Sequence, residues 1–444
     1  MISVVAFSFV FQLMGLILSL RATRNVFSAL SFIQITWAFT FIGGWMIALM
    51  NGHFLTPLYL SIGSMCIGLG AILVNCLTRF SPSIELRVFR QKRAVSIFKN
   101  QERIYFISLL FVTVLSLFMS AMFFVRGGIP IFSDNSDIAR VANRANLGVY
   151  VRFLQIILPF IILIWLSLIS VYKGKKSLKI VLVVLIAFFL VLSILWGYKG
   201  AFLSFFVMIA IFASMWYKWK PKVVLWIGII ILLGLVGAVF MSTATLHMNT
   251  SKAVPFIVNR MTTVEAEGFD KIVYFLVPRE GFLKGGSFAE EFKGILVSFR
   301  LLPREKGVFY SLPAQLVEEV QGSNPFGFAY TITVMGDLYA NFGLLGSVLG
   351  MLIFGMLLQG LYILSIRGPK DHFLFPNGVF GQVLLLNLSG RGGILASVNG
   401  EAISWLGAVL LLFGIFCFLV MPSGSIKLFL PRNAYHKIKG SKSK

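Results

Sequence analysis

"IVLVVLIAFFLVLSILWGYKGAFLSFFVMIAIFASMWYKWK", Ile180 to Lys220, decides how this chain folds. Residues 180–197 and 200–217 form two apolar runs without a charged side chain. Each is about the length an α-helix needs to cross the ~30 Å hydrocarbon core of a bilayer. Between them stand Tyr198 and Lys199, with Gly197 and Gly200 on either side. In lipid, every backbone N–H and C=O needs a partner within the segment, so runs of this kind cross as helices. The stretch therefore reads as a helical hairpin in a membrane, with its lone lysine at the tip.

The rest of the 444 residues agree with that reading. The chain is 58% hydrophobic and 12% charged, with 45 phenylalanines and a mean hydropathy of +0.90. A soluble core cannot absorb so much apolar surface, whereas a polytopic membrane protein can. Eleven runs fit the length of a span: 2–20, 26–50, 54–77, 104–125, 149–172, 180–197, 200–217, 223–243, 343–366, 373–389 and 402–421. The expected fold is an all-α, polytopic integral membrane protein, one membrane domain over residues 1–444. The first run, Ile2–Leu20, reads as a span rather than a cleavable signal, since it is long and lacks a basic leader. A net charge of +23 suggests nucleic acid only if concentrated, and here it is spread through short loops, so no nucleic acid is expected. Cys66, Cys76 and Cys417 all fall in apolar runs, which argues against a disulfide framework. His53, His247, His372 and His436 are scattered without metal-ligand spacing, so neither metal nor cofactor is expected.

Orientation follows from the basic loops. Placing loops 21–25, 78–103, 173–179, 218–222 and 367–372 and the C-terminal tail in the cytoplasm gives that side 24 of the 39 Lys and Arg. It receives only Glu85, Glu102 and Asp371 of the 16 acidic residues. The N-terminus is then outside and the C-terminus inside. The one long polar insertion, 244–327, also falls outside and reads as a large loop of short amphipathic helices folded on the outer membrane surface. Chemistry is expected on that side.

Four stretches there carry groups suited to chemistry. In "RGGIPIFSDNSDIARVANRANLG", Arg126 to Gly148, a Gly-Gly-Ile-Pro turn precedes Asp137, Arg140 and Arg144 at helical spacing. Either this is an interfacial helix with an internal ion pair, or its arginines form a stripe for an anionic substrate. Arginines kept outside against the basic-inside bias favour the stripe. Lys199 in the hairpin either snorkels to the interface or meets a phosphate that the flanking glycines let approach. Arg391, in "LSGRGGILASVNGE", stands between Gly390 and Gly392; it either anchors a span or forks onto phosphate oxygens. Finally, "PFGFAYTITVMGDLYANFGLLG", Pro325 to Gly346, puts Asp337, Tyr339 and Asn341 at a membrane boundary. An ionisable group at that depth is a functional candidate, although a helix N-terminus also favours an acid.

Together these stretches resemble the bacterial oligosaccharide repeat-unit polymerases, the O-antigen polymerase (Wzy) family. The shared features are the G-I-P-x-x-S turn at Gly128–Ser133 followed by Arg140 and Arg144, and the small-residue hairpin at Gly197–Ala201. The most specific is G-x-L-Y-x-N-F-G-x-x-G, Gly336 to Gly346. The resemblance implies a glycosyltransferase without cofactor in the bacterial inner membrane, working on its periplasmic face. It would join undecaprenyl-pyrophosphate-linked repeat units into O-antigen, in contact with membrane lipid and a chain-length regulator. Arg126, Arg140, Arg144, Lys199 and Arg391 would then meet pyrophosphate and glycan, where fixed cations stabilise a leaving group at the membrane surface. Asp337, or else Glu401, would serve as the base for the acceptor hydroxyl, with Tyr339 and Asn341 in support. A lipid-linked oligosaccharide flippase is the alternative of another class, and a cell-wall glycan polymerase an alternative of the same one. A flippase needs ionisable groups along a path through the bilayer, whereas these gather at one face.

Overall fold

The structure, a computed structural model, describes residues 2–91, 102–133, 136–171, 176–197, 199–216, 221–246, 249–298, 301–303, 305, 308–324, 328–367 and most of 406–415. Its regular elements are all helical. The first group is α1 (Ile2–Thr23), α2 (Ala29–Asn51), α3 (Leu55–Thr78), α4 (Pro82–Gln91) and α5 (Glu102–Gly127). After α6 (Ser136–Asn146), α7 (Gly148–Arg152) runs through a π turn into α8 (Leu158–Val171). Then come α9 (Lys176–Trp196), α10 (Lys199–Trp216) and α11 (Pro221–Leu246). The insertion holds α12 (Thr250–Met261), α13 (Thr263–Lys271), a π turn (Ile272–Leu276), α14 (Val277–Glu280), α15 (Gly286–Ser298) and α16 (Leu312–Gln321). The long α17 (Thr333–Arg367) follows.

Among the described residues, seven helices are long and apolar enough to cross a membrane: α1, α2, α3, α5, α7 continued through α8, α9 and α17. They correspond to seven of the eleven expected runs. The runs at 200–217 and 223–243 appear as the helices α10, of 18 residues, and α11, of 26. The run at 373–389 lies outside the described residues, and that at 402–421 is described only in part. On α1, α5 and α9, exposed apolar side chains recur at helical spacing, as with Ile107, Leu110, Phe111, Val114 and Phe118. Outward stripes of that kind suit lipid, not water.

Local chemistry sets the helix ends. Ser28 caps α2 by accepting from the Ser31 N–H at 3.1 Å. Gly52 closes it in the left-handed conformation (φ 77°), its N–H donating to the Ala48 carbonyl at 2.8 Å. Only Gly52, His53 and Phe54 then separate α2 from α3.

Polar contacts between distant segments distinguish the two ends of the bundle. At one end the Asn25 side chain donates to Ser214 Oγ near the end of α10 (3.1 Å). The Tyr362 hydroxyl donates to the Thr23 carbonyl (3.0 Å), and Arg367 pairs with Glu85 (2.7 Å). Because successive helices reverse direction, the opposite end holds the α2–α3 turn, the close of α5, the α9–α10 turn and the first turns of α17. A Cβ added to Gly355 on α17 would lie 2.2 Å from the Ile67 carbonyl oxygen of α3. Small residues at a crossing bring backbones together where no hydrophobic effect operates.

Two features differ from the sequence expectation. The span expected at 343–366 is preceded by a helical segment from Thr333, and the two meet at a kink where Gly343 has φ 67° and ψ −164°. That conformation is essentially confined to glycine, so the chain bends inside the motif. The insertion does contain short helices, but α13 and its π turn are not laid on a surface. Ala266, Phe269, Ile272, Val273 and Leu276 are buried against α2, α3, α16 and α17. Their spacing gives one apolar face, and that face meets protein.

Candidate functional site

The Arg126–Gly148 stretch folds back on itself. Pro130–Phe132 make a single 3-10 turn, and α6 then returns over the end of α5. The Asn143 side chain donates to the Gly127 carbonyl (2.8 Å). Arg140 Nη1 donates to the Gly197 carbonyl (3.0 Å), so the arginine-bearing helix is fastened to the α9–α10 turn. The exposed Arg126 lies over the Tyr150 ring, 5.3 Å from its centre. Beside them is an open groove of about 420 Å³ lined by Gly127–Pro130, Phe132, Ser133 and Ala139. Two motifs far apart in sequence thus share one edge, with Arg126 and Arg140 in it. Arg144 lies one turn beyond Arg140 on α6, and Lys199 is the first residue of α10. Arg391 and Glu401 lie outside the described residues.

The Gly336–Gly346 motif forms the second centre. Asp337 and Asn341 are fully or almost fully buried, one helical turn apart. The Ser287 hydroxyl donates to Asp337 Oδ1 (2.9 Å), and the Asn341 amide donates to Ser287 Oγ (2.6 Å) and to the Asp337 carbonyl (2.7 Å). At the kink the chain turns outward, and its carbonyls are taken by the loop before α15. Leu283 N–H donates to the Ala340 carbonyl (2.9 Å), Lys284 N–H to that of Asn341 (3.0 Å), and Gly285 N–H to Asn341 Oδ1 (3.1 Å). Asp337 and Asn341 therefore bind the insertion to α17. The Tyr339 ring is wedged between Tyr59, Phe269 and Phe282, with centroids 5.5, 6.0 and 5.9 Å away.

Next to that wedge is a group that sequence reasoning missed. His53, in the α2–α3 turn, directs Nδ1 at Asp270 Oδ2 (3.0 Å) on α13. The Thr56 hydroxyl donates to Asp270 Oδ1 (2.7 Å). One turn after Asp270, Tyr274 stacks on the imidazole at 3.8 Å and 9°, and its hydroxyl accepts from the Leu55 N–H at 3.0 Å. Burial pushes the Tyr274 phenol up; the Leu55 hydrogen bond opposes this, and the Asp270 charge adds to it. It therefore stays a neutral phenol at ordinary pH. The side chain of His53 is 30% exposed and that of Asp270 only 4%. No local pattern announces the pair, since 217 residues separate its members. The one available signal was the position of a histidine in a short turn between two spans.

Contacts run continuously between the two centres: α6 touches α11, α11 touches α12, and α12 touches both α2 and α13. Both lie at the same end of the bundle. Among the described residues no cluster of three His, Cys, Asp or Glu is arranged to hold a metal ion.

A bundle of membrane-length helices that turn apolar stripes outward defines a multi-pass membrane protein. The sequence from residue 25 to residue 385 matches the O-antigen polymerase family, and the chain belongs to that family. The match includes the Gly-Ile-Pro turn, the α9–α10 hairpin and the Gly336–Gly346 motif. Membership places the protein in polysaccharide biosynthesis and implies a lipid-linked oligosaccharide as substrate. No curated protein and no solved structure gives a significant match.

Proposed function

We propose that this protein joins lipid-linked oligosaccharide repeat units, carried on undecaprenyl pyrophosphate, on the periplasmic face of the bacterial inner membrane. One observation carries the reading: in a chain of this family, Arg126, Arg140, the His53–Asp270 pair and the Asp337 cluster all lie at the end away from the basic loops. By the basic-inside rule that end is periplasmic. A substrate held in the membrane by its lipid presents its pyrophosphate at this level. Guanidinium groups suit such an anion because they stay charged and fork onto two oxygens. From the sequence, Arg144, Lys199 and Arg391 are candidates for the same cationic set. The reaction needs no nucleotide, since the sugar is already activated by its pyrophosphate.

The sequence suggests Asp337 as the base, and its surroundings favour another role. A base must come within hydrogen-bond reach of the proton it removes, whereas this carboxylate is buried with Ser287 and Asn341 directed at it. Asp337 positions the kink, and with it Tyr339 and the loop before α15.

Deleting the gene tests the reading. Without a polymerase, single units still cross the membrane, so lipopolysaccharide should carry one repeat and no ladder on electrophoresis. A bare core, restored by this gene alone, would identify a flippase instead.

A further inference from the structure

We propose that His53 is the catalytic base of this polymerase and that Asp270 is the residue that positions it; the proposal rests on the polymerase reading above.

The geometry is that of an oriented imidazole. An ionised carboxylate only accepts, so Nδ1 carries the hydrogen shared with Asp270, and the lone pair is on Nε2. Among the described residues His53 makes no hydrogen bond through Nε2, and part of the ring remains exposed. Asp270 cannot swing away. It sits on a buried helix face, and Thr56 holds its other oxygen. The ring is fixed in its plane by Tyr274, whose phenol is itself anchored to the α3 backbone. A buried acid aligning a partly exposed imidazole is the arrangement that makes a histidine an efficient proton acceptor near neutral pH. Among the described residues, the titratable groups facing His53 are Asp270 and Tyr274, with Tyr59 beyond, in contact with Tyr339. The dyad is thereby joined through Tyr59 to the motif most specific to the sequence. A π turn at Ile272–Leu276 begins two residues after Asp270, and such turns often mark functional positions in helices.

The step balances as follows. The hydroxyl oxygen of the acceptor sugar bonds to the anomeric carbon of the donor, and its proton passes to His53 Nε2. The anomeric carbon–oxygen bond breaks, and its electron pair leaves on the lipid pyrophosphate. The imidazolium, held by Asp270, then returns its proton to water.

The test uses the full-length protein in lipid nanodiscs and lipid-linked repeat units extracted from the deletion strain. His53→Ala should slow extension by about 10²–10⁴-fold with substrate binding retained, and added imidazole should restore part of the rate. Asp270→Asn should also slow extension while KM stays unchanged. Should His53→Ala fail to accumulate, His53→Gln keeps a donor for Asp270 and serves in its place. Wild-type rates in His53→Gln, or in Asp270→Asn, would overturn the proposal. A wild type that binds these units but never extends them defeats the polymerase reading itself, and this inference with it.

Discussion

Arg140 shows how one side chain can serve two ends. Its guanidinium fastens α6 to the α9–α10 turn through the Gly197 carbonyl and puts a permanent charge beside the Gly-Ile-Pro groove. Arg140→Ala is expected to abolish the polysaccharide ladder while the protein remains at normal levels in the membrane. Arg140→Lys should restore it only in part, because an ammonium cannot fork onto two oxygens. A full ladder from the alanine variant would remove Arg140 from the site. Asp337 allows the opposite experiment. Asp337→Asn keeps an oxygen for Ser287 and Asn341 and should retain a ladder, whereas Asp337→Leu strands the Ser287 hydroxyl in a buried site. A stranded donor costs about 1–3 kcal/mol, so the leucine variant should melt earlier in detergent. Loss of the ladder in a stably folded Asp337→Asn would return the base role to this carboxylate.

Among the elements, α17 matters most to the site. Its first part, Thr333–Phe342, carries Asp337, Tyr339 and Asn341, and its second runs along α3 to the far end of the bundle. The kink at Gly343 frees the Ala340 and Asn341 carbonyls for the loop before α15. Any Cβ there meets a backbone region closed to L-residues, and it would also lie 3.0 Å from Phe282. Gly343→Ala should therefore cost about 1–3 kcal/mol, measured as a lower melting temperature, with polymerisation falling further than that loss explains. Unchanged melting would mean that the bend is not needed. Gly355→Leu tests the crossing with α3 instead. It should reduce folded protein, because the carbonyl of Ile67 is backbone and cannot move aside as a side chain would.

For the whole molecule the decisive property is which way the bundle faces. Reporters fused after Lys92 and Lys175 are expected in the cytoplasm, and those after Asn135 and Glu291 in the periplasm. A cytoplasmic signal at Glu291 would reverse the bundle and take the proposed site with it. The helical membrane class and the runs that became α1, α2, α3, α5, α8 and α9 were legible in the sequence. These depend on local properties: length, hydropathy, and glycine where a chain must bend. Tertiary structure alone decided that α13 belongs to the core, that Arg140 reaches Gly197, and that His53 meets Asp270. An amphipathic helix shows in its sequence that one face is apolar, but not whether lipid or protein will cover it. Likewise a histidine in a short turn carries no mark of a carboxylate 217 residues away. Packing α13 against α2 and α3 creates that pairing, because non-local contacts are fixed by which helices share a core rather than by the spacing of residues along the chain.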